Sequence, residues 1–171
     1  VELFLNDKSL GVKKFTPKMD MHLEWMVPYE AGELKAVASK DGKVVATTVR
    51  RTAGPVAQFT LEADKTKLDT RGRDLSYVTV RLQDKDGNFA PKGARWVSFE
   101  IKGPGRLLAT ANGDPLSHES FQGISVKAFN GMALAIVAPT GEEGEIIVRA
   151  HWSHMRWANP VEVKLTARAS P

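Results

Sequence analysis

Leu75-Ser76-Tyr77-Val78-Thr79-Val80-Arg81-Leu82, followed after Gln83 by Asp84-Lys85-Asp86-Gly87-Asn88, decides how this chain is read. Tyr77, Val78, Thr79 and Val80 favour a pleated, half-buried surface. The Asp, Gly and Asn cluster behind them supplies a turn. Downstream, Trp96, Val97, Phe99 and Ile101 form another strand, closed by Gly103-Pro104-Gly105. Further strands are expected over 106–109, 126–129, 133–137, 145–150 and 161–167. No long helical stripe interrupts them. Short strands separated by turn signals predict a β-sandwich. Trp96 falls inside the apolar alternation and is assigned to the core.

The same period of two runs upstream. Val1, Leu3 and Leu5 alternate with Glu2 and Phe4, and Asn6-Asp7 turns the chain toward Leu10-Gly11-Val12. Residues 22–27 alternate again, with Leu23, Trp25 and Val27 on one face, and Trp25 is assigned to the core. Pro28 and Gly32 break the pattern before Leu34, Ala36 and Ala38 resume it. Asp41-Gly42 then joins that strand to Val44-Val45-Ala46, a strong two-residue hairpin signal. Residues 1 to about 50 thus predict a five-stranded antiparallel sheet. Arg51-Thr52-Ala53-Gly54-Pro55 marks a boundary, because Gly and Pro punctuate it before the pattern restarts at Val56. The expected organisation is all-β: two immunoglobulin-like β-sandwich modules, 1–54 and 55–171. Opening in mid-strand, the first module is expected to be incomplete at its N-terminus, as a piece of a longer chain.

Composition removes several function classes. The chain has 171 residues, 42% hydrophobic and 26% charged, an ordinary globular balance. Its formal charge of +4 comes from 24 Lys+Arg against 20 Asp+Glu. The basic residues are dispersed, with pairs such as Lys13-Lys14 and Arg50-Arg51, so no phosphate-tracking stripe forms and no nucleic-acid partner is expected. Without cysteine, disulfides and thiolate metal sites are excluded. No segment approaches the roughly 20 apolar residues of a membrane helix, so no membrane insertion is expected. A bacterial periplasmic or secreted location suits a chain stabilised by sheet packing alone.

Two segments carry candidate chemistry. The first, 112–121, is a long polar insertion between strands, the kind of loop where function concentrates. Asn112, Asp114, Ser117, His118 and Glu119 are its candidate site residues. Ser117, His118 and Glu119 contain the residue types of a hydrolytic triad, but a triad's members are normally delivered from separate elements. Asp114 and Glu119 could offer oxygens to a cation, yet calcium needs 6–8 ligands and the spacing supplies too few. The plainest reading is a tight Asn-Gly-Asp-Pro turn whose side chains satisfy loop backbone groups, with docking onto a neighbouring domain as an added role. The second segment holds Trp152 and Trp157 beside His151 and His154. Exposed indoles there could stack on sugar rings, making carbohydrate a candidate partner, while buried indoles would cap the core. The two histidines lack metal spacing. No pair of carboxylates suits glycoside hydrolysis, so no catalytic residue, metal or cofactor is assigned.

Two long strings resemble a known family. VELFLNDKSLGVKKF and HLEWMVPYEAGELKAVASKDGKVVATTVRRTAGP are similar to the small domain after the catalytic barrel of family 2 glycoside hydrolases, bacterial β-galactosidases above all. LSYVTVRLQDKDGNFAP, GPGRLLATANGDPLSHESF and KAFNGMALAIV resemble the C-terminal immunoglobulin-like domain of the same enzymes. The resemblance implies a parent with an N-terminal jelly roll, an immunoglobulin-like domain and a (β/α)₈ barrel ahead of these modules. It implies retaining β-galactoside hydrolysis by two barrel glutamates. In that family the acid/base glutamate follows an asparagine, and this chain has no Asn-Glu dipeptide. The resemblance therefore assigns this region a non-catalytic, structural role, with the absent barrel as its partner. A strand normally precedes the VELFLN string in the family, so an unpaired edge is expected where it is missing. A free-standing carbohydrate-binding module and an adhesin-like surface module are the alternative readings.

Overall fold

A computed structural model describes residues 1–16, 21–71, 74–154 and 160–169. Thirteen strands and no helix occur among the described residues. They fall into two compact units, 1–52 and 53–171. Gly54 belongs to the second unit, where its amide donates to Asp84 Oδ2 at 2.9 Å.

The first unit is one antiparallel sheet. Its strands are β1 (Glu2–Leu5), β2 (Lys8–Val12), β3 (Glu33–Lys40) and β4 (Lys43–Arg51), ordered β2-β1-β3-β4. Asn6 and Asp7 both take positive φ in the first turn, as Asp41 and Gly42 do in the second. That geometry matches the right-handed twist of the flanking strands, and it explains why these dipeptides signal hairpins. Asn6 also secures the approach to β3. Its Oδ1 accepts the Glu33 amide at 2.8 Å, and its Nδ2 donates to the Ala31 carbonyl at 3.1 Å. Gly32 makes this possible, since a Cβ there would lie 1.8 Å from Asn6 Oδ1.

Two expectations for this unit change. Residues 22–27 form no strand, so the sheet has four strands rather than five. Leu23, Trp25 and Val27 do alternate as half-buried positions, but their backbone enters no ladder; periodicity reports a buried side, not a pairing partner. Trp25 is half-buried rather than central to a core, with the Lys13 ammonium 5.3 Å from its ring. The open edges are also placed differently. β1 is paired on both sides, leaving β2 and β4 outermost, and nearly every residue of β4 is exposed.

The second unit packs two sheets. Its strands are β5 (Gln58–Ala63), β6 (Lys67–Asp69), β7 (Ser76–Gln83), β8 (Trp96–Lys102), β9 (Gly105–Ala111), β10 (Ser125–Lys127), β11 (Met132–Pro139), β12 (Gly144–Trp152) and β13 (Val161–Arg168). One sheet is ordered β10-β8-β12-β13-β6 and the other β5-β7-β11-β9. Ser76, Val78, Val80 and Leu82 of β7 face inward, directly beside Val137, Ala135 and Ala133 of β11. Across from them lie Val97 and Phe99 of β8, Ile146, Val148 and Ala150 of β12, and Leu165 and Ala167 of β13. Alternation on each strand thus builds one continuous apolar layer between the sheets. Gly103, at φ +84°, carries the chain from one sheet to the other; a Cβ there would meet the Glu145 carbonyl oxygen at 2.0 Å.

Strand parity corrects one core assignment. Val97 and Phe99 occupy the inner face of β8, so Trp96 must face outward, and it is 37% exposed. A shift of one residue moves a side chain to the opposite face of a sheet. The sequence pattern placed Trp96 and Val97 together in an apolar run without resolving that parity.

Candidate functional surface

The loop after β9 bridges the two sheets along one side of the sandwich. It leaves β9, an edge strand of one sheet, and ends at β10, an edge strand of the other. Thr110 donates its amide to the Phe121 carbonyl at 2.7 Å, and Phe99 donates to the Ile124 carbonyl at 2.8 Å. These bonds anchor the returning arm to both sheets.

Between the anchors, short polar side chains set the path. Asn112 Oδ1 accepts the Asp114 amide at 3.0 Å, and Asp114 Oδ1 accepts the Leu116 amide at 2.9 Å. Ser117 Oγ accepts the Glu119 amide, and Ser120 Oγ accepts the Gln122 amide, each at 3.2 Å. This succession of local turns comes from side chains that bond backbone two residues ahead. Two bonds tie the loop to β10: Asn112 Nδ2 donates to the Lys127 carbonyl at 2.9 Å, and Glu119 Oε2 accepts the Lys127 amide at 3.0 Å.

The candidate residues Asn112, Asp114 and Ser117 therefore bond backbone groups of their own loop, and Asn112 and Glu119 bond the backbone of β10. Ser117 Oγ faces the Glu119 amide, and His118 projects as an exposed ring. Among the described residues, no three His, Asp or Glu side chains gather as metal ligands. The feature missed by the polar reading is apolar: Leu116, Phe121 and Ile124 are 82%, 68% and 60% exposed. Because the backbone carrying them is braced, these side chains form a preset surface instead of a collapsing one. Their bulk was visible in the sequence, but the direction in which they point was not.

Trp152 and Trp157 were the candidate sugar-stacking pair. Trp152 lies on the inner face of β12, in phase with Val148 and Ala150, and its ring meets Phe59 edge-on at 4.6 Å and 76°. The Arg95 guanidinium lies 5.6 Å from the same ring. This indole caps the core. Trp157 lies outside the described residues. His151, one position out of phase with Trp152, faces outward, and His154 is exposed beyond the strand.

The turn after β7 gathers the second unit's most shifted carboxylate. Asp84 is buried and held down to about 2, first by the Asn88 side-chain amide and then by the Gly54 amide. Its oxygens also accept the amides of Asp86 and Asn88 at 2.9 and 2.8 Å. The charge secures the beginning of the unit to the turn that follows its central strand.

The second unit is thus an all-β sandwich with a braced loop running between its two sheets. The model of the glycoside hydrolase family 2 C-terminal domain 5 matches residues 59–159, more than half of the chain. A second model, described as a domain of unknown function (DUF4982), matches residues 1–46. The chain belongs to glycoside hydrolase family 2, in the C-terminal region of that family's proteins. It is 37% identical over 158 residues to beta-galactosidase BoGH2A of Bacteroides ovatus, covering 92% of this chain and 18% of that protein. A solved family 2 member from Bacteroides cellulosilyticus superposes with a TM-score of 0.81 at 35% identity, covering 98% of this chain and 21% of that one. A beta-glycosidase from Bacteroides vulgatus gives 0.80 at 28% identity, with 98% and 21% covered. The chain thus spans about a fifth of the length of the relatives it matches.

Proposed function

We propose that this chain is the non-catalytic C-terminal region of a β-galactosidase-type glycoside hydrolase, and that its 112–124 loop docks onto the catalytic part of the longer protein. The observation that carries the docking reading is the braced loop presenting Leu116, Phe121 and Ile124 to solvent. A rigid apolar surface of this kind loses little conformational freedom on association, which favours a fixed interdomain contact over a transient one. The match to a named beta-galactosidase supports the substrate class. The order β5-β7-β11-β9 against β8-β12-β13 parallels the ABED and CFG sheets of an immunoglobulin-like sandwich, supporting that description of the second unit. A periplasmic or secreted location belongs to the same reading.

Hydrogen exchange tests the docking. The amides of 112–124 should be more protected in the longer polypeptide than in this chain alone, and Leu116→Asp with Phe121→Asp should abolish the difference. Equal protection in both forms would remove the docking role. On a chromogenic β-galactoside this chain alone should show no turnover above background, whereas the longer polypeptide should be active.

A further inference from the structure

The outer face of the five-stranded sheet divides into two chemically different halves. In one half charges are paired: Arg149 meets Glu162 and, at 4.0 Å, Glu100, while Lys164 meets Glu145 at 3.2 Å. The other half lies at the end where β8 begins. Ser125, Ser98 and His151 form one cross-strand row, since Ser125 is paired with Ser98 and Ser98 with His151. The next row places Lys127 beside Trp96, and the Ser153 amide donates to the Trp96 carbonyl at 3.1 Å. Ser98 and Ser153 share a hydroxyl hydrogen bond of 2.8 Å. Among the described residues neither Lys127 nor His151 enters an ion pair.

From this division we infer a carbohydrate-binding surface centred on Trp96, taking neutral pyranose units of a polysaccharide. A pyranose has an apolar C–H face and a rim of hydroxyls. The indole of Trp96, about a third exposed, fits the first, and the Ser98, Ser125 and Ser153 hydroxyls, the His151 ring and the Lys127 ammonium offer donors and acceptors to the second. Three neighbouring strands, with Ser153 just past β12 held by its bond to Trp96, carry these groups across about 10 Å, so they are positioned before any ligand arrives. A phosphate or nucleic-acid ligand is disfavoured, because one ammonium among neutral hydroxyls gives no cationic cluster. The site adjoins the docking loop at β10, where Asn112 and Glu119 bond the Lys127 backbone, but it uses a different face and does not depend on the parent's activity.

Native electrophoresis of the whole chain through gels containing soluble β-galactan or β-glucan tests the inference. Retardation in at least one polysaccharide gel is expected, and Trp96→Ala should weaken binding about tenfold, as loss of a stacked indole face implies. No retardation of the unsubstituted chain, or equal retardation of Trp96→Ala, would overturn the proposal. Should Trp96→Ala fail to fold, amide-shift mapping of the unsubstituted chain decides the matter. Added oligosaccharide should move the Trp96 indole N–H and the amides of Ser98, Ser125 and His151, and shifts confined elsewhere would refute the site.

Discussion

Truncating Trp152 to alanine distinguishes a core indole from a sugar platform. The side chain is half-buried, edge-on to Phe59 at 4.6 Å, with Arg95 5.6 Å from its ring. Replacing a buried Trp by Ala costs about 3–5 kcal/mol, and half-burial places Trp152 near about 3 kcal/mol. Of this, about 1 kcal/mol belongs to the edge contact with Phe59. With a urea dependence of about 2 kcal/mol per molar, the second unit's midpoint should fall by about 1.5 M. Far-UV circular dichroism is the suitable probe, since the substitution removes a fluorophore. Completing the cycle with Phe59→Ala should give a coupling of about 1 kcal/mol. A midpoint shift below about 0.5 M with an unchanged slope would refute the core-cap reading.

Other outcomes follow from single contacts. Gly103→Ala should destabilise the second unit by at least about 1–2 kcal/mol from left-handed backbone alone, measured by thermal unfolding, because its Cβ would also meet the Glu145 carbonyl. Asp84 is depressed to about 2, so the stability it contributes is complete above its unfolded value of about 4 and is lost as pH falls toward about 2. Asp84→Asn should therefore flatten the pH dependence of unfolding across that window; an unchanged profile would remove Asp84 as its source. Asn6→Ala should lower the first unit's melting temperature, and protection of the Glu33 amide should fall with it, since Asn6 Oδ1 accepts that proton.

Much of the fold was legible because alternation and turn chemistry are local. Asp41-Gly42 specified its hairpin through the left-handed backbone that these residues tolerate. Leu75 to Leu82 identified β7, the strand with the most complete inner face, because every second residue is buried. By contrast, β6 is three residues long and pairs parallel to β13, nearly a hundred positions later, so nothing local announces it. Residues 22–27 show the converse failure: alternation without a partner makes no strand. For the candidate surface, the loop's polar residues were found by composition, yet their bonds go to backbone groups of the loop and of β10. Trp96 left its expected place in the core because it sits one residue from a neighbour of opposite parity, while Trp152 took the core-capping alternative of the two left open for it. A face is a property of register, and register is set by strands far away in the chain.

The loop at 112–124 assigns shape and contact to different residues. Asn112, Asp114, Ser117 and Ser120 steer the backbone, while Leu116, Phe121 and Ile124 meet the surroundings. The outward three can therefore be exchanged without redrawing the path. Grafting another protein's contact side chains onto this steering sequence would give a rigid recognition loop with a new preference, and the sandwich beneath would carry it unchanged.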